Sequence, residues 1–165
     1  MRIIFLVLTA ASLLFGTYIR DAVTNTVYDD ATELTWQDDS SISDTNNRKK
    51  WSDAIDYCEA LDFAGKSDWR LPNFNELYMI TDDSTYNPAM HMNVGNGFVN
   101  VASSNYWSST TDVSATGWAW VVLFNYGGDY WNDKTDRCYV RCVRDGQITP
   151  LTFPLTPAIM YYLIQ

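Results

Sequence analysis

The residues between positions 125 and 136 have the types and spacing for chemistry with a polyhydroxylated ligand. Tyr126, Tyr130 and Trp131 alternate with Asn125, Asp129, Asn132 and Asp133 around the pair Gly127-Gly128. Sugar recognition needs flat apolar faces for C–H surfaces and carboxylate or amide groups for paired hydroxyls, and this stretch supplies both. The opposing reading is a packed hairpin whose rings cover a sheet. Catalysis has weaker support. Ser108 and Ser109 follow Trp107, but no base is spaced to activate either, and His91 is the sole histidine. We therefore expect no enzyme.

Metal chemistry is limited in the same way. Cys138 and Cys142 form a C-x3-C pair, Cys58 lies 80 residues before Cys138, and no histidine cluster completes a zinc site. From 21 to 47 there are seven acidic residues (Asp21, Asp29, Asp30, Glu33, Asp38, Asp39, Asp44) and no basic one. That stretch reads as a solvated face. It has oxygen ligands but no Gly-kinked EF-hand loop, so calcium is compatible with it and not predicted. No cofactor is expected. The motif Trp69-Arg70-Leu71-Pro72 reads as structural: a buried Trp, an Arg paired with an Asp such as Asp68, and a Pro that sets the start of a helix.

Several elements must position these residues. Trp51, Ala54, Ile55, Cys58 and Leu61 form one helical stripe, with Ser52 as the expected N-cap and Gly65 as the expected C-terminal stop. A second helix starts at Asn73, whose spacing to Glu76 suits a capping box, with Phe74, Leu77 and Ile80 on its apolar face. TVYDD and ELTWQDD read as strand ends closed by turns, and SSISDTNN as a loop. Beyond position 87 the chain reads as strand and loop. YWSSTT is one strand; WAWVVLFNY is apolar on both faces and belongs inside a sheet. RCYVRCVR alternates, with Cys138, Val140 and Cys142 on one face and Arg137, Tyr139 and Arg141 on the other. The GGDYWNDKTD between these strands reads as an elaborated hairpin loop. Both strand cysteines face the core with Cys58, so either can bridge to the helix. We take Cys58–Cys142, which ties the first helix to the last strand across a long loop, worth roughly 4–5 kcal/mol in the chain-entropy treatment.

The chain has 165 residues, a one-domain length, with 47% hydrophobic and 19% charged residues, enough for a core. The formal charge of −9 leaves no basic footprint for nucleic acid. Aromatics reach 15%, including 7 Trp and 11 Tyr, a surplus that suits a binding surface. Residues 1–17 have Arg2 followed by a short apolar run and read as a secretory signal, with Gly16 small enough for the last cleaved position. Export to the periplasm, the cell surface or the medium agrees with disulfide use. Residues 147–165 carry no charge and contain Pro150, Pro154 and Pro157, which exclude a membrane helix. This tail is read as an extended arm over its own domain, or as a docking strand for a partner.

Taken in order, YIRDAVTNTVYDDATELTWQDD (18–39), WSDAIDYCEALDFAGKSDWRLPNFNEL (51–77), YWSSTT (106–111) and YVRCVRDG (139–146) resemble a bacterial exported domain family named for the C-terminal domain of a collagen-like adhesin, the Lcl C-terminal domain. The run G-K-S-D-W-R-L-P-N-x-x-E-L carries most of the specificity. The resemblance implies an α+β, C-type-lectin-like fold over 18–146: two helices on a small, mostly antiparallel sheet with an irregular, ligand-facing half. It also implies a surface binding module rather than an enzyme, with some relatives binding sulfated glycans. Here a mature charge of −10 (10 basic against 20 acidic residues once Arg2 is removed) repels polyanions unless cations cluster. The candidate clusters are Arg48-Lys49-Lys50 and Arg137/Arg141/Arg144. Trp131-Asn132-Asp133 is similar to the W-N-D calcium-and-sugar motif of true C-type lectins. The cysteine spacing differs, however, and Tyr86-Asn87-Pro88 lies too early to be its E-P-N partner. The leading expectation is thus an adhesion module binding a glycan or protein through 125–136. The alternative is a structural subunit of a surface assembly docking through its tail, and an oligomer is compatible with either.

Overall fold

The computed structural model describes residues 18–91 and 97–146. The expected signal (1–17) and tail (147–165) lie outside the described residues. In chain order the elements are β1 (Tyr18–Asp21), β2 (Thr26–Asp29), β3 (Leu34–Gln37), β4 (Arg48–Lys49), α1 (Trp51–Glu59), α2 (Phe74–Met79), β5 (Asn105–Thr111), β6 (Trp118–Leu123), β7 (Gly128–Asp133), β8 (Cys138–Tyr139) and β9 (Val143–Asp145). The class is mixed α+β with two helices. Instead of one small sheet there are two, of four strands (β1-β2-β3-β9) and five strands (β4-β8-β5-β6-β7). All pairs are antiparallel except the single parallel contact of β5 with β8.

Carboxylates close the first sheet's turns. Asp21 accepts the Val23 and Thr24 amides, and Asp29 accepts the Ala31 amide and the Thr32 hydroxyl. The SSISDTNN stretch forms two short 3-10 turns, capped by Asp39 and Asp44.

α1 buries Ala54 and Cys58 as its stripe requires, but neither expected end is right. Lys50 occupies the N-cap without a side-chain bond, because tertiary bonds start the helix: the Trp51 amide donates to Lys134 O at 3.1 Å and its ring nitrogen to Ser108 O at 2.9 Å. The helix stops at Ala60. Gly65, with Ala64, instead takes positive φ (67° and 56°) in a tight turn closed by paired Phe63–Lys66 backbone bonds. Both central residues of such a turn need φ > 0, which suits Gly and strains Ala. For α2 the capping box forms as read, with Asn73 Oδ1 accepting from Glu76 N at 2.9 Å and Glu76 Oε2 from Asn73 N at 2.8 Å.

β6 divides two cores. Val122 and Phe124 join Val27, Trp36, Leu77, Ile80, Phe98, Tyr106 and Val143 between the two sheets. Ala119, Val121 and Leu123 join Ala54, Cys58, Trp69, Trp107, Val140 and Cys142 under α1. Residues 137–144 are not one half-exposed strand. They break into β8 and β9 and carry the chain from one sheet to the other, so both faces are covered. Only Arg137 of the expected polar face is exposed; Tyr139 stacks on Tyr106 at 5.3 Å, and Arg141 is fully buried. Its guanidinium donates to Gln37 O at 2.8 Å, Asp38 Oδ1 at 3.0 Å and Asn100 O, and lies over the Phe98 ring. The crossover also brings Cys142 to α1. The Cys58–Cys142 bond is formed, leaving Cys138 as a buried thiol.

Candidate functional site

The 125–136 segment is mostly strand rather than loop. Six of its residues pair with β6 along their whole length as β7, and β7 is the outer edge of the five-stranded sheet. The turn before it is tight: the Tyr126 and Gly127 amides both donate to Leu123 O, at 3.3 and 2.8 Å, and Gly127 has φ 78°. A side chain on Gly128 would meet the Tyr126 ring at 2.4 Å, so the ring can lie on the backbone only over glycine. The ladder follows from β6, whose apolar run is buried on both faces and supplies a partner for each of residues 128–133. Two glycines had suggested a longer loop.

Strand geometry sorts the seven expected site residues. Tyr126, Asp129, Tyr130 and Trp131 are exposed. Asn125 is half-buried, its backbone carbonyl holding the Asn87 amide at 2.8 Å and its Oδ1 buried without a partner. Asn132 turns inward and donates to Cys138 Sγ at 3.3 Å. Asp133 binds the Thr135 amide and hydroxyl at 2.9 and 2.7 Å, and that amide holds its carboxyl below the usual carboxylate range.

The register adds residues that the sequence did not connect. Trp131 sits opposite Trp120 on β6, with Asp129 opposite Val122 and Asp133 opposite Trp118. Opposed residues share a face. The Trp131 ring stacks on Tyr130 (centroids 4.9 Å, planes 8° apart) and meets Trp120 edge-on at 5.7 Å. Trp120 contacts Phe74 of α2 at 5.3 Å, and Phe74 stacks on Tyr78 at 5.6 Å. Five rings thus run in unbroken contact from the sheet edge to α2. Tyr130 (50% exposed), Trp131 (41%) and Tyr78 (38%) face solvent, and the half-buried Trp120 and Phe74 back them. Alternation alone puts Trp118 and Trp120 on one face of β6. Joining them to Trp131 and Phe74 requires the pairing and the helix packing.

Other candidates resolve into structural roles. Trp69 is buried, with its ring nitrogen bonded to Phe63 O and Lys66 O at 3.1 and 3.2 Å. Arg70 pairs with Glu76 (2.7 and 2.8 Å) and Asp145 (3.3 Å), not with Asp68; Asp68 instead takes Arg144 at 2.7 and 2.9 Å. That ion pair draws the Asp68 carboxyl below its ordinary value. Ser108 is buried and donates to Trp120 O at 2.8 Å. His91 stacks on Tyr18 and lies 3.6 Å from Asp82. Of the expected basic clusters, the second breaks up, with Arg141 buried on Asp38 and Arg144 tied to Asp68, while Arg137 joins the first: Arg48 and Arg137 donate to each other's carbonyls at 2.8 and 3.1 Å, beside Lys49, whose ammonium lies over the Tyr57 ring, and the exposed Lys50. Among the described residues no three His, Cys, Asp or Glu side chains are grouped to hold a metal ion. A pocket of about 220 Å³ lies on the other sheet, lined by Thr24, Thr26, Thr35, Lys66, Trp69 and Arg144 among others. No helix among the described residues is long and apolar enough to cross a membrane.

Two sheets, two short helices and a cross-core disulfide define a mixed α+β, disulfide-bonded domain with an aromatic ledge on one sheet edge. Residues 25–144 match the Lcl C-terminal domain, and the chain belongs to that family, which is associated with a collagen-like surface adhesin. No curated protein matches the chain. Family and disulfide are both consistent with export.

Proposed function

We propose that the protein is an exported, non-catalytic binding module of C-type-lectin-like architecture, its domain spanning 18–146 after removal of the 1–17 leader, and that it holds a glycan against the Tyr130–Trp131 ledge. One observation carries this reading. Two large rings stand 50% and 41% exposed yet are held in fixed orientation by each other and by Trp120. Exposed rings at an edge carry a hydration penalty that a ligand face relieves, and a backed ring loses little conformational freedom on binding. Asp129, two residues from Trp131 on the same face, supplies a carboxylate for paired hydroxyls.

The test is binding of purified, oxidised protein to a broad glycan panel, with and without a calcium chelator. Binding weakened about tenfold or more in Trp131→Ala, with an unchanged melting temperature, supports the ledge as the site. Chelator-sensitive binding that survives Trp131→Ala would move the site elsewhere. A blank panel with folded protein would end the glycan reading in favour of a protein ligand.

A further inference from the structure

The run Gly65-Lys66-Ser67-Asp68-Trp69-Arg70, which carries most of the family resemblance, has no part in the ledge. It lies along β9, where Arg70 and Val143 exchange backbone hydrogen bonds at 2.8 and 2.9 Å. Its Lys66 and Trp69 wall the pocket of about 220 Å³ on the four-stranded sheet. The other wall is the sheet face turned away from the core. Val27, Trp36 and Val143 are in register and buried between the sheets, so their chain neighbours Thr26, Thr35 and Arg144 point the opposite way, toward the pocket they line.

Arg144 is the group in this pocket with unused capacity. Its side chain is only 8% exposed, and Asp68 grips the Nε–Nη2 edge at 2.7 and 2.9 Å. Nη1 has no hydrogen-bond partner among the described residues and is not sealed from solvent, and the space beside it is the pocket. A guanidinium held along one edge keeps its end free for a second acceptor. The exposed Lys66 makes no ion pair among the described residues, and the Thr35 hydroxyl, on the strand next to Arg144, is likewise unbonded there. Asp21 stands on β1, at the opposite edge of the sheet from β9. Its Oδ1 takes the Val23 and Thr24 amides, which leaves Oδ2 open.

The pocket is therefore dipolar, with free donors on the β9 side and a free carboxylate oxygen on the β1 side. Arg144 and Lys66 against Asp68 and Asp21 sum to zero charge. A bound anion would add a negative charge to a chain already at −9, whereas a ligand carrying both charges leaves the sum unchanged. At roughly 30 Å³ per water-sized group, 220 Å³ holds about seven such groups, fewer than a drug-sized ligand needs.

We propose that this pocket is a second binding site, separate from the ledge, for a small zwitterion of the amino-acid class. The carboxylate sits on Arg144 Nη1 and Lys66 with the Thr35 hydroxyl beside it, and the ammonium sits on Asp21.

The experiment titrates purified, oxidised protein by calorimetry with glycine, β-alanine, 4-aminobutyrate and 6-aminohexanoate. Each is compared with the carboxylate and the amine that lack the other charge, such as butyrate and butylamine for 4-aminobutyrate. At least one zwitterion should bind about tenfold or more tighter than both of its single-charge analogues, the worth of one charge-assisted contact. Lys66→Gln should weaken that zwitterion about tenfold and leave the melting temperature unchanged. Asp21→Asn, which keeps the Oδ1 acceptor for the turn amides, should bring the zwitterion down to the affinity of its carboxylate analogue. Trp131→Ala should leave the affinity as it was. Carboxylates binding as tightly as zwitterions would overturn the zwitterion class. Zwitterion binding untouched by both pocket substitutions, or lost in Trp131→Ala, would overturn the placement. No binding of any probe by protein that melts cooperatively would overturn the site altogether and leave the glycan reading standing.

Discussion

Replacing Asp38 by Asn keeps volume and shape and removes only the charge and one acceptor. Asp38 has no exposed surface, and neither does the Arg141 it binds; the Arg20 side chain is 11% exposed. Each carboxylate oxygen accepts two donors. Oδ1 takes Arg141 Nη1 (3.0 Å) and the Asn100 amide (3.2 Å), while Oδ2 takes Arg20 Nη1 and the Val99 amide (3.0 Å). An amide turned either way places an NH2 against one arginine and one backbone N–H, so two donors lose their acceptor whichever orientation it takes. It also leaves a fully buried guanidinium without its counter-charge. Breaking such a buried pair costs about 3–5 kcal/mol, a large share of the roughly 5–15 kcal/mol stability of a domain. With a urea slope of about 2 kcal/mol/M, the midpoint should fall by roughly 1.5–2.5 M. Asp68→Asn is the control. It breaks an arginine–carboxylate fork of equally good geometry (2.7 and 2.9 Å), but Asp68 is 59% exposed, so the loss should stay under about 1 kcal/mol. Urea melts of both variants followed by tryptophan fluorescence decide the matter. Equal midpoint shifts would refute the claim that burial sets the energetics, and a shift under 0.5 M for Asp38→Asn, on the order of 1 kcal/mol at that slope, would do so by itself.

Removing the Cys58–Cys142 bond with a double Ala substitution should cost about 4–5 kcal/mol, since it closes a loop of sequence separation 84; a melting temperature unchanged by the substitution would contradict this. Ala64→Gly should raise the melting temperature slightly, by the equivalent of up to about 1 kcal/mol, because it relieves a positive φ of 56° at the centre of the Phe63–Lys66 turn; a drop would mean that the methyl makes a contact worth more than the strain. Burial pushes the Cys138 thiol up to about 12, so alkylation of the native protein at pH 8 should be slow and should become fast only in denaturant, as read by mass spectrometry. Asp68, Asp82, Asp112 and Asp133 are each held below the ordinary 3.8, by Arg144, the Ser84 hydroxyl, the Ser114 hydroxyl and the Thr135 amide respectively. The unfolded chain therefore binds protons first as pH drops. Their stabilisation is complete above about pH 4 and is lost as pH falls through the lower folded values, which a series of urea melts from pH 6 to pH 2 would show.

Short-range information was legible in the chain. The Asn73–Glu76 capping box, the burial of Cys58 on its stripe and the two-sided burial of β6 follow from spacings of two to four residues, where backbone geometry leaves few choices. The family run G-K-S-D-W-R-L-P was readable as structure too, although the partner of Arg70 is Glu76 rather than Asp68. Where local signals met tertiary demands, the latter prevailed. Ser52 is a good cap by type, yet Trp51 starts α1 because its backbone and ring already have partners on Lys134 and Ser108. RCYVRCVR alternates like an amphipathic strand, yet it breaks and buries Arg141, because Asp38 and Asn100 wait between the sheets.

The same division holds for the candidate site. The sequence by itself determined that rings and carboxylates are interleaved between 125 and 136 and that Cys58 faces the core together with Cys138 and Cys142, leaving two bridges open; these depend on residue identity and near spacing. Tertiary structure alone decided that Gly127-Gly128 makes a tight turn into an edge strand, which turned Asn132 and Asp133 to structural duty and left Tyr130 and Trp131 outward. It also decided that Trp120, Phe74 and Tyr78 extend the row. Strand register and helix docking are set by burying whole faces of distant segments against one another, and that sum over many long-range contacts is not written in any local stretch of the chain.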